Sequence, residues 1–146
     1  MQDTGCRIQD AGYRIRTIRD LGSCIQNLVS CIQNSPMSFI NYNIKPRSTI
    51  FPGIQSAMEH SAQVTFGCVS LEEGVVAPLH SHPHEQWTYV LEGQMEFTLD
   101  GEKQLLLPGM GAYIPSNAVH GAFAVTACKV IDVFVPVRED YKALEK

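Results

Sequence analysis

The chain has 146 residues, a formal net charge of −4 and a sequence pI of about 5.7. This length suits one domain that buries most of its own core. An acidic balance lacks the basic surface that nucleic-acid binding requires, and no apolar run reaches the roughly 18 residues of a membrane span. We therefore expect neither a nucleic-acid partner nor a membrane partner.

The first 36 residues repeat with a period of seven. The segment Ser23-Cys24-Ile25-Gln26-Asn27, for example, recurs at residues 30–34. One isoleucine per repeat is too few for a coiled coil, which needs two apolar positions in seven. We predict an irregular extension over residues 1–36, disordered or not native, and a folded domain over residues 37–146. An oligomerisation arm is the alternative, and translated tandem DNA upstream of a natural start at Met37 is a sharper hypothesis.

Cysteine usage bears on the redox compartment of the protein. The count of five is odd, and the spacings are not those of a metal site. A disulfide framework is therefore not expected. The N-terminus also lacks the apolar run of a secretory signal. We predict a cytoplasmic protein.

From Met37 onward the sequence predicts an all-β domain. Asp100-Gly101 is a strong signal for a two-residue hairpin, and the polar residues 138–146 predict a short terminal helix. Short strands separated by glycine and proline turns are typical of a sandwich or small barrel. Roughly eight strands are predicted. The first ends at residues 50–51, and the others lie at residues 62–69, 74–91, 94–99, 103–107, 112–115, 122–126 and 129–135.

Histidines are concentrated in one strand-like stretch. If it is extended, His80, His82, His84 and Gln86 share a face, because side chains alternate along a strand. His120, between two later strand-like runs, is placed where an adjacent strand can bring it alongside. Imidazole is the commonest nitrogen ligand of divalent transition metals, so the pattern predicts a metal site. The alternative is a polar surface strand with incidental histidines.

The sequence also predicts roles for other histidines, for Glu85 and for two aromatic residues. Pro83 distorts the local strand, so we expect His84 beside the ligands or directed outward. Glu85 has the opposite parity and is the alternative ligand if the neighbouring amide does not bind. We expect His60 to be an ordinary surface residue. Trp87 and Tyr89 indicate sheet packing or a dimer contact rather than a sugar platform.

The arrangement of glycines and histidines resembles the cupin superfamily over about residues 45–142. Its first signature is resembled by Gly74, His80, His82, Gln86 and Gly93. A looser second signature is formed by residues 101–108, Gly111 and His120. The resemblance implies a single double-stranded β-helix, or jelly-roll, barrel.

Within the cupins, the string His-Ser-His-Pro-His-Glu-Gln followed by Tyr-Val-Leu-Glu-Gly is similar to small proteins of pectin and alginate breakdown. Those proteins linearise 4,5-unsaturated uronates. The resemblance implies one divalent transition metal ion (nickel, zinc, iron or manganese) held by His80, His82, Gln86 and His120. All four donors are neutral, so the ion keeps its positive charge for Lewis-acid chemistry.

The same resemblance implies that Asp132, Phe134 and Arg138 line the substrate cavity. Asp132 would act as the general acid/base, Arg138 would hold a substrate carboxylate with its guanidinium fork, and Phe134 would form cavity wall. The residues alone leave alternatives. Asp132 could be a buried carboxylate paired with backbone or Lys129, and Arg138 could pair with the acidic residues that follow it.

These observations predict an isomerase-type enzyme. It would convert a 4,5-unsaturated uronate, a small acidic sugar, to its linear keto acid by ring opening and tautomerisation. By analogy with cupins that pair through sheet edges, we expect a homodimer. The alternatives are another metal-dependent cupin enzyme, such as an oxygenase, and a non-enzymatic cupin that binds sugar acids.

Overall fold

The structure, a computed structural model, describes residues 38–145. The predicted extension over residues 1–36 lies outside the described residues. Within them, no helix is long and apolar enough to cross a membrane. The described chain forms β1 (Ser48–Phe51), β2 (Ile54–His60), β3 (Thr65–Leu71), β4 (Val76–His80), β5 (Glu85–Glu92), β6 (Met95–Leu99), β7 (Glu102–Leu106), β8 (Gly111–Ile114), β9 (His120–Ala124), β10 (Cys128–Val135) and α1 (Glu139–Lys142).

The strands form two antiparallel sheets. The larger has the order β1-β2-β3-β10-β5-β8, and the smaller has the order β4-β9-β6-β7. Neighbours in each sheet are often far apart in sequence, as expected of a jelly roll. The all-β prediction is confirmed, and the predicted terminal helix is the single turn α1.

Strand β5 shows how the sequence directs side chains to the two faces. Its inward positions Gln86, Thr88 and Val90 are buried, whereas Trp87 and Tyr89 between them are exposed. This alternation follows from the two-residue period of a strand with one solvated face. The sheet therefore offers polar inward positions at one end of β5 and an apolar one further along.

Inward residues of both sheets form one apolar core. The larger sheet contributes Ile54, Val69, Leu71, Val90, Ile114, Cys128 and Val130. The smaller sheet contributes Met95, Phe97, Leu106 and Ala124. Burial of such side chains is the main favourable term in folding.

The histidine stretch is not the single strand predicted over residues 74–91. Strand β4 belongs to the smaller sheet and β5 to the larger, and residues 81–84 cross between them. Pro83 lies in this crossing, where its missing N–H removes no ladder hydrogen bond. Two hydrogen bonds hold the crossing in place. Asn117 N–H donates to the His82 carbonyl at 2.8 Å, and the Ser116 hydroxyl donates to the Pro83 carbonyl at 2.6 Å.

Strand β2 was not predicted, and the surface assignment of His60 within it was wrong. The His60 side chain is only 7% exposed, and its Nδ1 shares a hydrogen bond of 2.8 Å with Thr65 Oγ1. The inward face of β2 includes the polar residue Ser56, and Ala57 on the opposite face is buried too, so the strand lacks the apolar alternation that marks the others.

The Asp100-Gly101 hairpin is confirmed. Both residues have positive φ, 47° and 88°, as the favoured two-residue turn requires. Asp100 Oδ1 accepts a hydrogen bond of 2.9 Å from Val119 N–H, and Asp100 N–H donates to the Val119 carbonyl at 2.8 Å. The turn thus anchors the residue that precedes His120.

Trp87 and Tyr89 lie on the outer face of β5. Trp87 packs on Tyr113 of β8 with ring centroids 4.6 Å apart, and Trp87 and Tyr89 remain 55% and 47% exposed. Their predicted contact in a homodimer stays a prediction, as does the cytoplasmic location.

Candidate metal centre

Three histidines converge inside one end of the barrel. His80 ends β4 and His120 begins β9, and the two are direct partners in the sheet register. His82 reaches the same place from the crossing segment. Ligand nitrogens of all three lie within 4.8 Å of one another, so the sheet pairing and the crossing together build the predicted cluster.

Each imidazole of the cluster is oriented by a backbone carbonyl. The Nδ1–H groups of His80, His82 and His120 donate to the carbonyls of residues 78, 84 and 118, at 2.8, 3.0 and 2.9 Å. This fixes the tautomer, because a neutral imidazole that donates through Nδ1 carries its lone pair on Nε2. Three Nε2 lone pairs are therefore available, and such carbonyl partners are typical of metal-binding histidines.

Gln86 is the fourth predicted ligand, and its amide is held by a short chain of hydrogen bonds. Its Nε2 donates to Thr88 Oγ1 at 2.9 Å, and the Thr88 hydroxyl donates to Asp132 Oδ1 at 2.6 Å. Gln86 Oε1 then faces His82 Nε2 at a distance of 3.0 Å. The amide oxygen and the imidazole nitrogen both present lone pairs to the same space.

The donor set fits a metal ion. Two facing acceptors without a proton between them repel each other, and a cation relieves this repulsion. His120 Nε2 is likewise buried without a hydrogen-bond partner, which is costly in a protein interior unless something occupies the lone pair. Imidazole and amide donors together suit nickel, zinc, iron or manganese.

Burial favours the neutral form of His82 and His120. It lowers the pKa of His120 to about 4, and charges on the neighbouring histidines and Arg138 act in the same direction. Burial also lowers the pKa of His82, although its contact with Gln86 opposes this effect. Neutral imidazoles are the form that binds a metal ion.

The cluster opens on a cavity of about 70 Å³, which is room for several water-sized groups. Its polar and aromatic walls include His80, Gln86, His120, Asp132, Phe134 and Tyr141. The cavity therefore brings Asp132 and Phe134 to the histidine cluster.

Asp132 lies on β10 directly opposite Thr88 of β5. It lines the cavity, and burial raises the pKa of its carboxyl to about 6, while hydrogen bonds from Thr88 and Gln86 act to lower it. Its hydrogen bond goes to Thr88 rather than to Lys129, which pairs with Glu92.

Arg138 lies beside the cavity walls rather than among them. Its guanidinium packs over the ring of Tyr141 at 3.9 Å and that of Phe134 at 5.0 Å. The fork formed by Nε and Nη2 holds Asp140 at 2.9 and 2.7 Å. Nη1 is buried and has no hydrogen-bond partner. The ion pair considered from the sequence is thus present, and Nη1 is the remaining donor.

The other predicted neighbours do not join the cluster. His84 contributes its backbone carbonyl to His82, but its ring is outside the group of converging nitrogens. Glu85 is exposed on the opposite face of β5. Sequence reasoning missed Thr88 and Tyr141. Thr88 shares the parity of Gln86, so the alternation of β5 already placed it on the inward face.

Comparisons with known proteins agree with this geometry. The pattern that describes the cupin domain matches residues 67–134. The pectin degradation protein KdgF of Dickeya dadantii (strain 3937) is 34% identical over 76 residues, which cover 51% of this chain and 69% of the relative. The chain belongs to the cupin family. Its fold class and the resemblance noted in the sequence are both confirmed.

Solved structures of other cupins superimpose on this cupin. KdgF from Halomonas sp. is 35% identical, with a TM-score of 0.68 over 73% of this chain and 99% of that protein. An RmlC-like cupin from Shewanella frigidimarina NCIMB 400 is 27% identical, with a TM-score of 0.69 over 73% of this chain and 96% of that protein. The two relatives named KdgF are thus similar in sequence and one of them also in structure.

Proposed function

We propose that this cupin is a metal-dependent enzyme of pectin degradation that converts a 4,5-unsaturated uronate to its linear keto acid. One observation carries the proposal: three imidazole nitrogens and the Gln86 oxygen converge on a cavity that Asp132 also lines. The similarity to two KdgF proteins, one of them a pectin degradation protein, supports the substrate class.

The reaction is an isomerisation, so no atoms are gained or lost. Opening the ring breaks the bond between C1 and the ring oxygen. The C1 hydroxyl becomes an aldehyde carbonyl, and its proton passes to the ring oxygen, which becomes the hydroxyl of an enol at C5. Tautomerisation then moves a proton from the enol oxygen to C4. The protein has to bind the acidic sugar, hold its oxygens in place and carry that proton.

The residues divide this work between them. His80, His82, Gln86 and His120 would hold the ion, which when bound supplies Lewis-acid polarisation of a substrate oxygen. Asp132 takes the proton from the enol oxygen and returns it to C4 as general acid/base. Phe134 limits the cavity, and Arg138 Nη1 is the donor for the substrate carboxylate.

The test follows the ultraviolet absorbance of an unsaturated uronate monomer, which is lost when the double bond tautomerises. Protein loaded with zinc or nickel should accelerate this loss without oxygen, and Asp132→Asn should slow it about 10²- to 10⁴-fold, since that is what a general acid/base contributes. Glu85→Gln is the matched control, because this carboxylate lies outside the cavity, and should keep the activity.

Two results would contradict the proposal. Metal-loaded protein that leaves the absorbance unchanged would exclude uronate linearisation. Oxygen uptake by the iron-loaded protein, with no reaction under anaerobic conditions, would favour an oxygenase instead.

A further inference from the structure

We infer that Thr88 is a positioning residue that holds the Gln86 amide with its oxygen, rather than its nitrogen, toward the metal site. This inference rests on the proposed metal centre. Thr88 is 4% exposed and Gln86 is 6% exposed, and both point inward from β5. The hydrogen-bond partners of the Thr88 hydroxyl are Gln86 and Asp132, and of these two only Gln86 is a proposed metal ligand, so the effect of Thr88 on metal binding passes through Gln86.

The direction of the hydrogen bonds determines which end of the amide faces Thr88. A hydroxyl has one proton to donate, and the Thr88 proton is committed to Asp132 at 2.6 Å. A carboxylate oxygen only accepts. Thr88 can therefore offer Gln86 only a lone pair, and the Gln86 NH₂ group must face it, as the contact of 2.9 Å shows.

Without Thr88, a different amide orientation would be favoured. The Gln86 oxygen faces the His82 Nε2 lone pair at 3.0 Å, which is an unfavourable contact of two acceptors. Turning the amide over would convert it into an N–H···N hydrogen bond. That orientation would occupy the His82 lone pair and direct the NH₂ group, which has no lone pair to give, toward the metal. Thr88 thus opposes a rearrangement that would remove two ligands.

Asp132 acquires a second role in this arrangement. Its register partner on β5 is Thr88, so the carboxylate that faces the substrate also accepts the proton that orients the ligand. The sheet pairing itself places acid, hydroxyl and amide in sequence across two strands. A valine at position 88 would keep the shape of the side chain and remove only this link.

The experiment measures affinity for zinc by calorimetry on the whole chain. Thr88→Val should weaken zinc binding about 10- to 100-fold, the usual effect of removing a group that orients a ligand. Thr88→Ser retains the hydroxyl and should restore binding to within about threefold of the original protein. Thr65→Val is the matched control, since it removes another buried hydroxyl whose partners are His60 and Arg138, and should leave zinc affinity unchanged.

A double substitution tests whether Thr88 acts on zinc affinity through Gln86. In a Gln86→Ala background, Thr88→Val should cause no further loss of zinc affinity, because the amide it orients is absent. Equal zinc affinity of Thr88→Val and the original protein, or equal weakening by Thr65→Val, would overturn the inference and leave the metal centre standing. Failure of the original protein to bind zinc, nickel, iron or manganese would overturn the proposed function as well.

Discussion

The two ends of the barrel interior are built on the same strands but carry opposite chemistry. In the ladder between β5 and β10, Thr88 pairs with Asp132 at one step and Val90 pairs with Val130 at the next inward step. The first pair forms a hydrogen bond of 2.6 Å beside the cavity, whereas both valines are almost fully buried. The backbone therefore supplies equivalent inward positions, and side-chain type alone decides which end holds the fold together and which end is free for chemistry.

We call the first region the polar end and the second the apolar end. The polar end consists of His80, His82, Gln86, Thr88, His120 and Asp132. The apolar end consists of Val69, Val90, Leu106, Cys128 and Val130, and Val69 and Val130 also form part of the apolar wall of the cavity. If this division is correct, substitutions at the polar end should remove metal binding with little loss of stability, and substitutions at the apolar end should do the reverse.

The largest effect is expected for His80→Ala at the polar end. Loss of one of three imidazoles should abolish tight metal binding and lower the proposed activity on the order of 10³-fold, because a Lewis acid contributes several kcal/mol to the transition state. Bound metal is measured by elemental analysis, and stability by thermal unfolding of the metal-free protein. His84→Ala is the control, since its ring lies outside the cluster and its carbonyl is retained. Equal metal loss in both variants would contradict the assignment.

The next effect is expected at the apolar end. Leu106 is 3% exposed, so Leu106→Ala should lower the free energy of unfolding by about 2–5 kcal/mol through lost burial and a residual cavity. Its neighbour Leu105 faces outward and is 47% exposed, so Leu105→Ala should change stability by less than about 0.5 kcal/mol. Urea unfolding measures both values. Folded Leu106→Ala protein should still bind one metal ion, and loss of that ion would show that the two ends are not independent.

The local pattern of the sequence predicted the strands with clear alternation and the turns with clear chemistry. Strands β5, β6 and β10 and the Asp100-Gly101 turn follow from period-two burial and from positive φ. Strand β2 was missed because Ser56 occupies an inward position and Ala57 is buried on the opposite face, which obscures the alternation. The boundary between β4 and β5 was missed because histidines continue the alternation across the crossing between the sheets.

The sequence indicated which residue types form the site, but it did not indicate how they are arranged in space. Histidine spacing placed His80 and His82 together, while His120 depends on a sheet pairing between strands 40 residues apart in register. The partners of Arg138 were undetermined, because a guanidinium near both acidic and aromatic residues has several possible contacts. No sequence motif indicates the role of Thr88, since that role depends on a cross-strand pair with Asp132.

A smaller effect is expected at the turn that supports the polar end. Gly101 has φ of 88° and open space around it, so Gly101→Ala should cost about 1–2 kcal/mol through backbone strain alone. The adjacent exposed Glu102 is the control, and Glu102→Ala should change stability by less than about 0.5 kcal/mol. Thermal unfolding of both proteins provides the measurement. Equal stability of Gly101→Ala and the original protein would show that this turn relaxes without strain.

The smallest expected effect is on the pH dependence of stability and involves His60, whose buried side chain lies away from the polar end. Thr65 Oγ1 accepts a hydrogen bond of 2.9 Å from Arg138 N–H and shares another, of 2.8 Å, with His60 Nδ1. Burial lowers the pKa of His60. Lys142 and Lys45 act in the same direction, and Glu145 and Glu59 oppose them.

Because its folded pKa lies below the unfolded value of about 6.5, His60 favours folding in the neutral form. That contribution is complete above about pH 6.5 and is lost as the pH falls through the lower folded pKa. The melting temperature of the original protein relative to His60→Gln should therefore be higher at about pH 7.5 than at about pH 5, and subtraction cancels the other histidines. A relative stability that instead rises on acidification would mean that protonated His60 pairs with Glu145, 3.6 Å away. His60 would then stabilise the fold as a charged partner of Glu145 rather than as a neutral buried imidazole.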